Sequence, residues 1–221
     1  MDSDICVCIP TLNEEEAIGN VIQKFYDEGY ENILVIDGGS DDDTVRIAKE
    51  YGVDIHLQTF DGDKGSAIQE AIEVIDSSII VFVDGDDTYE PRDINKLVTA
   101  IENGADHAIA NRFANLNSGS MSKLHQFGNK FLNTTFYMLY RENVKDLLTG
   151  YRAIRKESIM ELDIESQGFE IETEITAKSV LKNHTIEIVP SSYYQRRGES
   201  KLQSYTDGVN IFKKIVELKF R

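Results

Sequence analysis

The stretch IIVFVDGDD, Ile79 to Asp87, decides the fold. Ile79 to Val83 is an unbroken apolar run rich in β-branched residues, with no polar alternation. A run of that kind suits a strand buried on both faces, as in a parallel sheet covered by helices on each side. It stops at Asp84-Gly85-Asp86-Asp87. Acids directly after a buried strand lie at the sheet edge where parallel α/β proteins bind ligands. Asp84 and Asp86 stand at i and i+2 with a glycine between, so both carboxylates can approach one cation without crowding. Hard oxygen ligands suit Mg²⁺ or Mn²⁺ bridging a diphosphate. An acidic turn leading into a helix is the other reading of the same residues.

Working upstream, Asp4 to Ile9 (DICVCI) is a short apolar run ended by Pro10. Asn13 and Glu16 have capping-box spacing before a helix striped by Ile18, Val21, Ile22 and Phe25 and stopped by Gly29. Ile33 to Ile36 predicts a second strand, ending at Asp37-Gly38-Gly39-Ser40. Asp41 to Asp43 place acids at the start of a second helix, closed by Gly52, and Val53 to Thr59 predicts a third strand. Lys64-Gly65-Ser66 opens a third helix carrying Ile68, Ala71, Ile72 and Ile75.

Downstream, Pro91 suits a first helical turn, followed by Ile94, Leu97, Val98 and Ile101, with Gly104 as the stop. Ala105 to Ala110 predicts a fifth strand. Strand and helix alternate, which predicts an α/β fold with a mostly parallel, Rossmann-like sheet flanked by helices. That topology gathers Pro10–Glu14, Asp37–Ser40 and Asp84–Thr88 at one edge, although they are far apart in the chain.

The second half is less regular. Residues 114–122 predict a loop, Lys123 to Tyr140 a long aromatic-rich helix, and Asp146 to Ile154 a strand or hairpin. Glu170 to Lys182 suits a helix, and Thr185–Val189 and Ser192–Gln195 suit strands. Residues 208–220 form a last helix mixing Val209, Phe212, Ile215 and Val216 with Lys213, Lys214, Lys219 and Arg221. Such a basic amphipathic segment lies in a bilayer interface or packs on the core. With no linker or repeat, the chain reads as a single domain, 1–221, with a regular half, 1–112, and a less regular half, 113–221.

The 221 residues carry 23 Lys and Arg against 39 Asp and Glu, a formal charge of −16. A nucleic-acid binder needs a basic face, so that class is excluded. A phosphate-bearing substrate then needs local help, from a carboxylate-bound cation or from a few placed Arg and Lys. A salt-adapted surface is a second reason for such acidity. No apolar run reaches the roughly 18 residues of a membrane span, and Asp2 and Asp4 stand where a signal peptide would be basic. A cytosolic location follows by default. Cys6 and Cys8 share one strand face as small core residues, with neither zinc nor disulfide spacing. His56, His107, His125 and His184 are scattered and form no hydrolytic triad pattern.

Four further features carry possible chemistry. Asp37, beside two glycines, can accept from a base N–H such as that of uracil, or simply close a turn. Lys64 with the first N–H groups of its helix can meet an anion, although the P-loop pattern is missing. Arg112 follows the fifth strand, and Arg196, Arg197 and Lys201 cluster in QRRGESKL (195–202). Arginine forks suit phosphate oxygens.

Taken together, PTLNEEE (10–16), VIDGGSDDDT (35–44), KGSA (64–67), VDGDDTY (83–89), NRF (111–113), LLTGYRAIRKES (147–158), GFEIETE (168–174) and RRGESKL (196–202) resemble a known family in family order. The chain is similar to the family 2 glycosyltransferases of GT-A fold, in the dolichyl-phosphate mannose synthase-like group. Within that group it looks most like the archaeal enzymes that charge dolichyl phosphate for protein N-glycosylation.

The resemblance implies inverting transfer of a sugar from a nucleoside diphosphate, bound by 1–112 as the nucleotide-sugar half, to a polyprenyl (dolichyl) phosphate, bound by 113–221 as the acceptor half, at the cytoplasmic membrane face. It implies a nucleotide pocket from Pro10, Leu12, Glu14 and Asp37, and a metal near Asp84 and Asp86 with backbone access at Gly85. It also implies an acceptor phosphate held by Arg112 with Arg196 and Lys201. Four positions depart from the mannose synthases: Gly38 for an Asp, Thr88 for a Gln, and His125 and Asn129 for an Arg and a Ser. They favour a UDP-sugar such as UDP-N-acetylglucosamine over GDP-mannose. Rival readings are a transferase with a protein or polysaccharide acceptor, a nucleotidyltransferase, and a non-catalytic sugar-nucleotide sensor.

Overall fold

The computed structural model describes residues 4–59, 62–117, 119–196 and 204–221. Seven strands form one sheet in the order β3-β2-β1-β4-β6-β5-β7. They are β1 (Ile5–Thr11), β2 (Ile33–Asp37), β3 (Asp54–Leu57), β4 (Ile79–Phe82), β5 (His107–Leu116), β6 (Arg152–Arg155) and β7 (Ile186–Tyr193). The helices are α1 (Ile18–Asp27), α2 (Thr44–Glu50), α3 (Lys64–Val74), α4 (Ile94–Glu102), α5 (Lys123–Tyr140), α6 (Lys156–Met160), α7 (Ile171–Leu181) and α8 (Ser204–Phe220). A single 3-10 turn, Pro91–Asp93, introduces α4, as Pro91 anticipated.

Strand alternation divides the core between the two sheet faces. Val7 and Ile9 of β1 meet Ile18, Ile22 and Phe25 of α1 and Leu97 and Ile101 of α4. Cys6 and Cys8 face the opposite side, with Ile68 and Ala71 of α3 and Ile171 and Ile175 of α7. Both thiols are buried and free, and burial pushes the Cys6 thiol up to about 11. A third cluster joins α5 to α8 through Leu132, Phe136, Ile211, Ile215 and Leu218.

One strand breaks the parallel pattern. β6 runs antiparallel to both β4 and β5, whereas every other pair is parallel. A reversed strand brings its preceding residues, not its following ones, to the ligand edge of the sheet. Thr149 and Gly150 reach that edge for this reason.

Several local expectations are corrected. α1 begins at Ile18 with Ala17 at its cap position and no side-chain capping bond. Asn13 lies outside the helix at φ 51°, a left-handed conformation that asparagine tolerates. There its side-chain oxygen accepts from the Asp41 amide and its own N–H donates to the Ser40 hydroxyl, tying the β1 and β2 loops together. β5 extends to Leu116, so part of the expected 114–122 loop is strand, paired with β7. The two strands expected around Pro190 are one, β7. Its position at the sheet edge, with a bulge opposite, lets Pro190 go without a ladder donor.

Candidate active site

The loop after β4 separates its three acids. Asp87 adopts φ 60° and turns to α1, where Asn20 donates at 2.5 Å and Lys24 at 2.6 Å. Its role is to fasten the loop. Asp86 is buried, and its Oδ1 accepts from the hydroxyl (2.6 Å) and amide (3.2 Å) of Thr88. Asp84 retains 27% side-chain exposure. Gly85 packs where a Cβ would lie 2.8 Å from the Thr11 methyl. The glycine is thus required by its packing against β1.

Cations from distant segments close on these acids. Lys64 Nζ lies 2.5 Å from Asp84 Oδ1 and 2.6 Å from Glu172 Oε1. Arg196 places Nη1 2.6 Å from Asp86 Oδ2 and Nη2 on Glu14 Oε1. Burial works to raise the Asp84 carboxyl, but Lys64 outweighs it and holds the group below the carboxylate range, helped by Arg112 and Arg196. Asp86 is shifted the other way, raised by burial and then by the charge of Asp84. Two carboxylates therefore press on one another, and the cluster favours added positive charge.

The start of α3 is corrected. The Gly65 and Ser66 amides both donate to the Gln167 carbonyl, at 2.5 and 3.2 Å. Gly65 is a glycine because the Ser166–Gln167 backbone lies where its Cβ would be. Those N–H groups do not face an anion, and only the Lys64 side chain enters the site.

Arg112, within β5 where its register with β7 breaks after Asn111, is bound bidentately by Asp146: Nε to Oδ2 at 2.7 Å and Nη2 to Oδ1 at 2.8 Å. Asp146 is fully buried. The guanidinium lies over the Tyr193 ring, 5.3 Å from its centroid, and Nη2 is 3.5 Å from Asn129 Oδ1 on α5. Burial works to lower Arg112, but the charge and hydrogen bonds of Asp146, with Tyr89 and Tyr193, raise it well above its ordinary value, so it stays charged. Beneath it, the buried Arg152 donates to the carbonyls of Leu147, Thr149 and Glu172 and to the Thr176 hydroxyl. It thereby ties the segment bearing Asp146 to the first turn of α7, which bears Glu172.

The β1 and β2 ends supply the remaining residues. Pro10 and Leu12 are half-buried, and Glu14 is fixed by its amide to the Thr44 hydroxyl at 2.7 Å. Asp37 is only 1% exposed. Its Oδ1 accepts from the amides of Gly39 and Ser40, and its Oδ2 from the hydroxyls of Ser40 at 2.5 Å and Thr11 at 3.4 Å. The turn role open to this residue is thus realised. A base N–H would have to replace the long Thr11 contact. Gly38 is explained by packing, since a Cβ there would stand 3.0 Å from the Gly62 carbonyl. Arg197 and Lys201 lie outside the described residues.

Asp146, Gly150, Glu172 and Tyr193 were not singled out from sequence. All four belong to quoted motifs or predicted strands, yet only the fold shows what they touch. As a cation site, Asp84 and Asp86 offer hard oxygens of the right kind. Among the described residues, no group of three or more His, Cys, Asp or Glu is arranged to hold a metal. The pair fits an ion completed by diphosphate oxygens and water, as Mg²⁺ commonly is.

Known proteins resemble this chain along nearly its whole length. Glycosyltransferase AglJ of Haloferax volcanii is 38% identical over 211 residues, 94% of this chain and 69% of that protein. The dolichyl-phosphate hexose transferase of the same organism is 31% identical over 218 residues, covering 97% and 93%. Among solved structures, glucosyl-3-phosphoglycerate synthase from Mycobacterium tuberculosis, in complex with Mn²⁺ and UDP-glucose, superimposes with a TM-score of 0.79. It covers 98% of this chain and 79% of that one at 18% identity, a likeness of fold. The sequence profile of glycosyl transferase family 2 matches residues 6–163, and the chain belongs to that family.

Proposed function

We propose that the chain moves a sugar from a nucleoside diphosphate, UDP favoured, to the phosphate of a dolichyl-type lipid. The observation that carries the reading is the approach, at one sheet edge, of the Asp84–Asp86 loop to Arg112, whose guanidinium lies over Tyr193, the bridge partner of Tyr89 just after that loop. The names of the relatives support the acceptor class, since one is a dolichyl-phosphate hexose transferase. Asp84 and Asp86 would hold a Mg²⁺ or Mn²⁺ ion, whose contribution is to neutralise charge on the departing diphosphate. Pro10, Leu12 and Glu14 would line the nucleotide, with the Oδ2 atom of Asp37 toward the base and Lys64 beside the donor.

Arg112 would hold the acceptor phosphate, with Arg196 and Lys201 assisting. One phosphate oxygen attacks the anomeric carbon while the bond to the diphosphate oxygen breaks, inverting that centre. The attacking oxygen is already ionised at neutral pH, so no strong base is required. Orientation and fixed charge supply the catalysis. Incubation with labelled UDP-N-acetylglucosamine, Mn²⁺ and dolichyl phosphate should yield a labelled lipid. A panel with UDP-glucose, GDP-mannose, and protein and polysaccharide acceptors ranks the alternatives. Label appearing only on a non-lipid acceptor would overturn the reading.

Gly150 gives a sharp test of Asp84 placement. A Cβ there would lie 2.5 and 2.6 Å from the Asp84 carboxylate oxygens. Gly150→Ala should push Asp84 off Lys64 and lower kcat by roughly 100-fold, the scale of an ångström-size misplacement. Steady-state kinetics with a melting curve on the same sample measures it. Unchanged kcat would show that Asp84 needs no fixed position.

The membrane reading concerns α5 and α8. Ile211, Ile215 and Leu218 of α8 are buried against α5, so the helix packs on the core. A second apolar face remains outside, with Leu124 73% and Phe127 71% exposed on α5. Phe131 and Phe212 stack at 5.9 Å between the helices, with Tyr205, Val209 and Phe220 along α8. Among the described residues no helix is long and apolar enough to cross a membrane. This face would rest in the lipid surface that carries the acceptor. Full burial of such side chains is worth about 1.5–3 kcal/mol each. Leu124→Ser with Phe127→Ser should therefore weaken vesicle binding by roughly tenfold or more. Cosedimentation with phospholipid vesicles reads this, and binding equal to wild type would remove the face from the proposal.

A further inference from the structure

Arg196 sits where an incoming cation would have to go. Of the two Asp86 oxygens, Oδ1 is committed to Thr88. Oδ2 is the one left for a ligand, and Arg196 Nη1 occupies it at 2.6 Å. The other fork of the same guanidinium holds Glu14, on the nucleotide side of the cleft. Asp84 already has Lys64 on its Oδ1. A Mg²⁺ ion binds carboxylate oxygen at about 2.0–2.1 Å. A guanidinium nitrogen on that same oxygen would face it at close range with like charge. The two cations exclude one another.

The segment that carries Arg196 is held from behind. Tyr193 bridges Tyr89, and the Tyr194 amide donates to the Thr88 carbonyl at 2.8 Å. Tyr193 also lies under the Arg112 guanidinium. An Arg196 side chain released from Asp86 therefore stays tethered within a few residues of Arg112.

We propose that Arg196 is an internal counterion for Glu14 and Asp86, displaced only when a divalent cation arrives together with a nucleoside diphosphate, and then free for the acceptor phosphate. This rests on the donor and metal reading given above. It makes the empty-handed ion a poor ligand, couples ion entry to donor entry, and completes the acceptor site only after the donor is seated. By linkage, whatever holds Arg196 on the acids weakens cation binding by the same factor.

The test is Mn²⁺ binding by the full chain, read from the free-Mn²⁺ electron paramagnetic resonance signal, with and without UDP. Wild type should bind Mn²⁺ weakly alone and more tightly with UDP. Arg196→Gln should bind Mn²⁺ alone about tenfold more tightly, show a smaller gain from UDP, and have a raised KM for the lipid phosphate. Arg196→Lys keeps a competing charge and should stay close to wild type in Mn²⁺ affinity. Unchanged or weaker Mn²⁺ binding by Arg196→Gln, in a sample that melts like wild type, overturns the proposal. Asp86→Asn separates the two levels of argument. If it still binds Mn²⁺ with UDP as wild type does, the metal reading itself fails. If it loses that binding while Arg196→Gln changes nothing, only the counterion role fails.

Discussion

Asp86→Ala will lower sugar transfer by about a thousandfold while leaving the melting temperature unchanged or raised. The kinetic side follows from losing one preorganised electrostatic group at the leaving diphosphate, which costs about 10²–10³ in rate. The stability side follows from its surroundings. Asp86 is buried and stands beside the charged Asp84, which together raise its carboxyl pKa. An unfolded aspartate titrates at about 3.9. Between that value and the raised folded one, the native chain binds more protons than the unfolded chain. Stability therefore falls as pH rises through this window and remains reduced above it. At neutral pH the ionised Asp86 costs stability, and alanine removes that cost, while Arg196 keeps Glu14 as its partner. Activity loss together with a kept or raised melting temperature is the pattern of a group retained for function. Activity within a few-fold of wild type would remove Asp86 from the site. A melting temperature many degrees lower would assign it to the scaffold.

The fold was legible where one physical signal acted alone. The apolar stripe Ile18, Val21, Ile22, Phe25 and the run Ile79–Phe82 specify a helix and a buried strand by periodicity, and both are found. The acids after β4 and the arginine following the first half of β5 could be named because topology alone sends strand ends to one edge. What sequence could not show depends on tertiary approach. The α3 amides are taken by Gln167, about a hundred residues away in the chain, and nothing near Lys64 signals it. Gly85 and Gly38 each pack where a Cβ would meet a neighbour distant in the chain, Thr11 and Gly62. Asp146, Glu172 and Gly150 come to the site because β6 runs backward and α7 starts beside Lys64. A reversed strand in an otherwise parallel sheet leaves no mark in hydrophobic periodicity, since both faces of β6 are covered in either direction.

Arg112→Met will lose both stability and acceptor use, and a second substitution will return only the first. Arg112 and Asp146 form a bidentate pair in which the aspartate is fully buried. Removing the cation leaves an uncompensated charge, a loss of about 3–5 kcal/mol, or roughly 10 °C in melting temperature for a domain of this size. In Arg112→Met with Asp146→Asn the charge is gone from both sides. The amide can still accept from the residue 112 backbone N–H that now donates to Asp146 at 3.0 Å. Most of the lost stability should therefore return, and the cycle of single and double variants isolates the pair. Transfer should not return, because the acceptor phosphate would still lack its fixed cation. The expected kcat/KM for the lipid phosphate stays about 10²–10³ below wild type, with UDP affinity unchanged in both variants. Calorimetric melting, UDP titration and acceptor kinetics on the four proteins measure the three quantities separately. If turnover recovers together with stability, Arg112 holds Asp146 and nothing else, and the acceptor phosphate must be gripped by other residues.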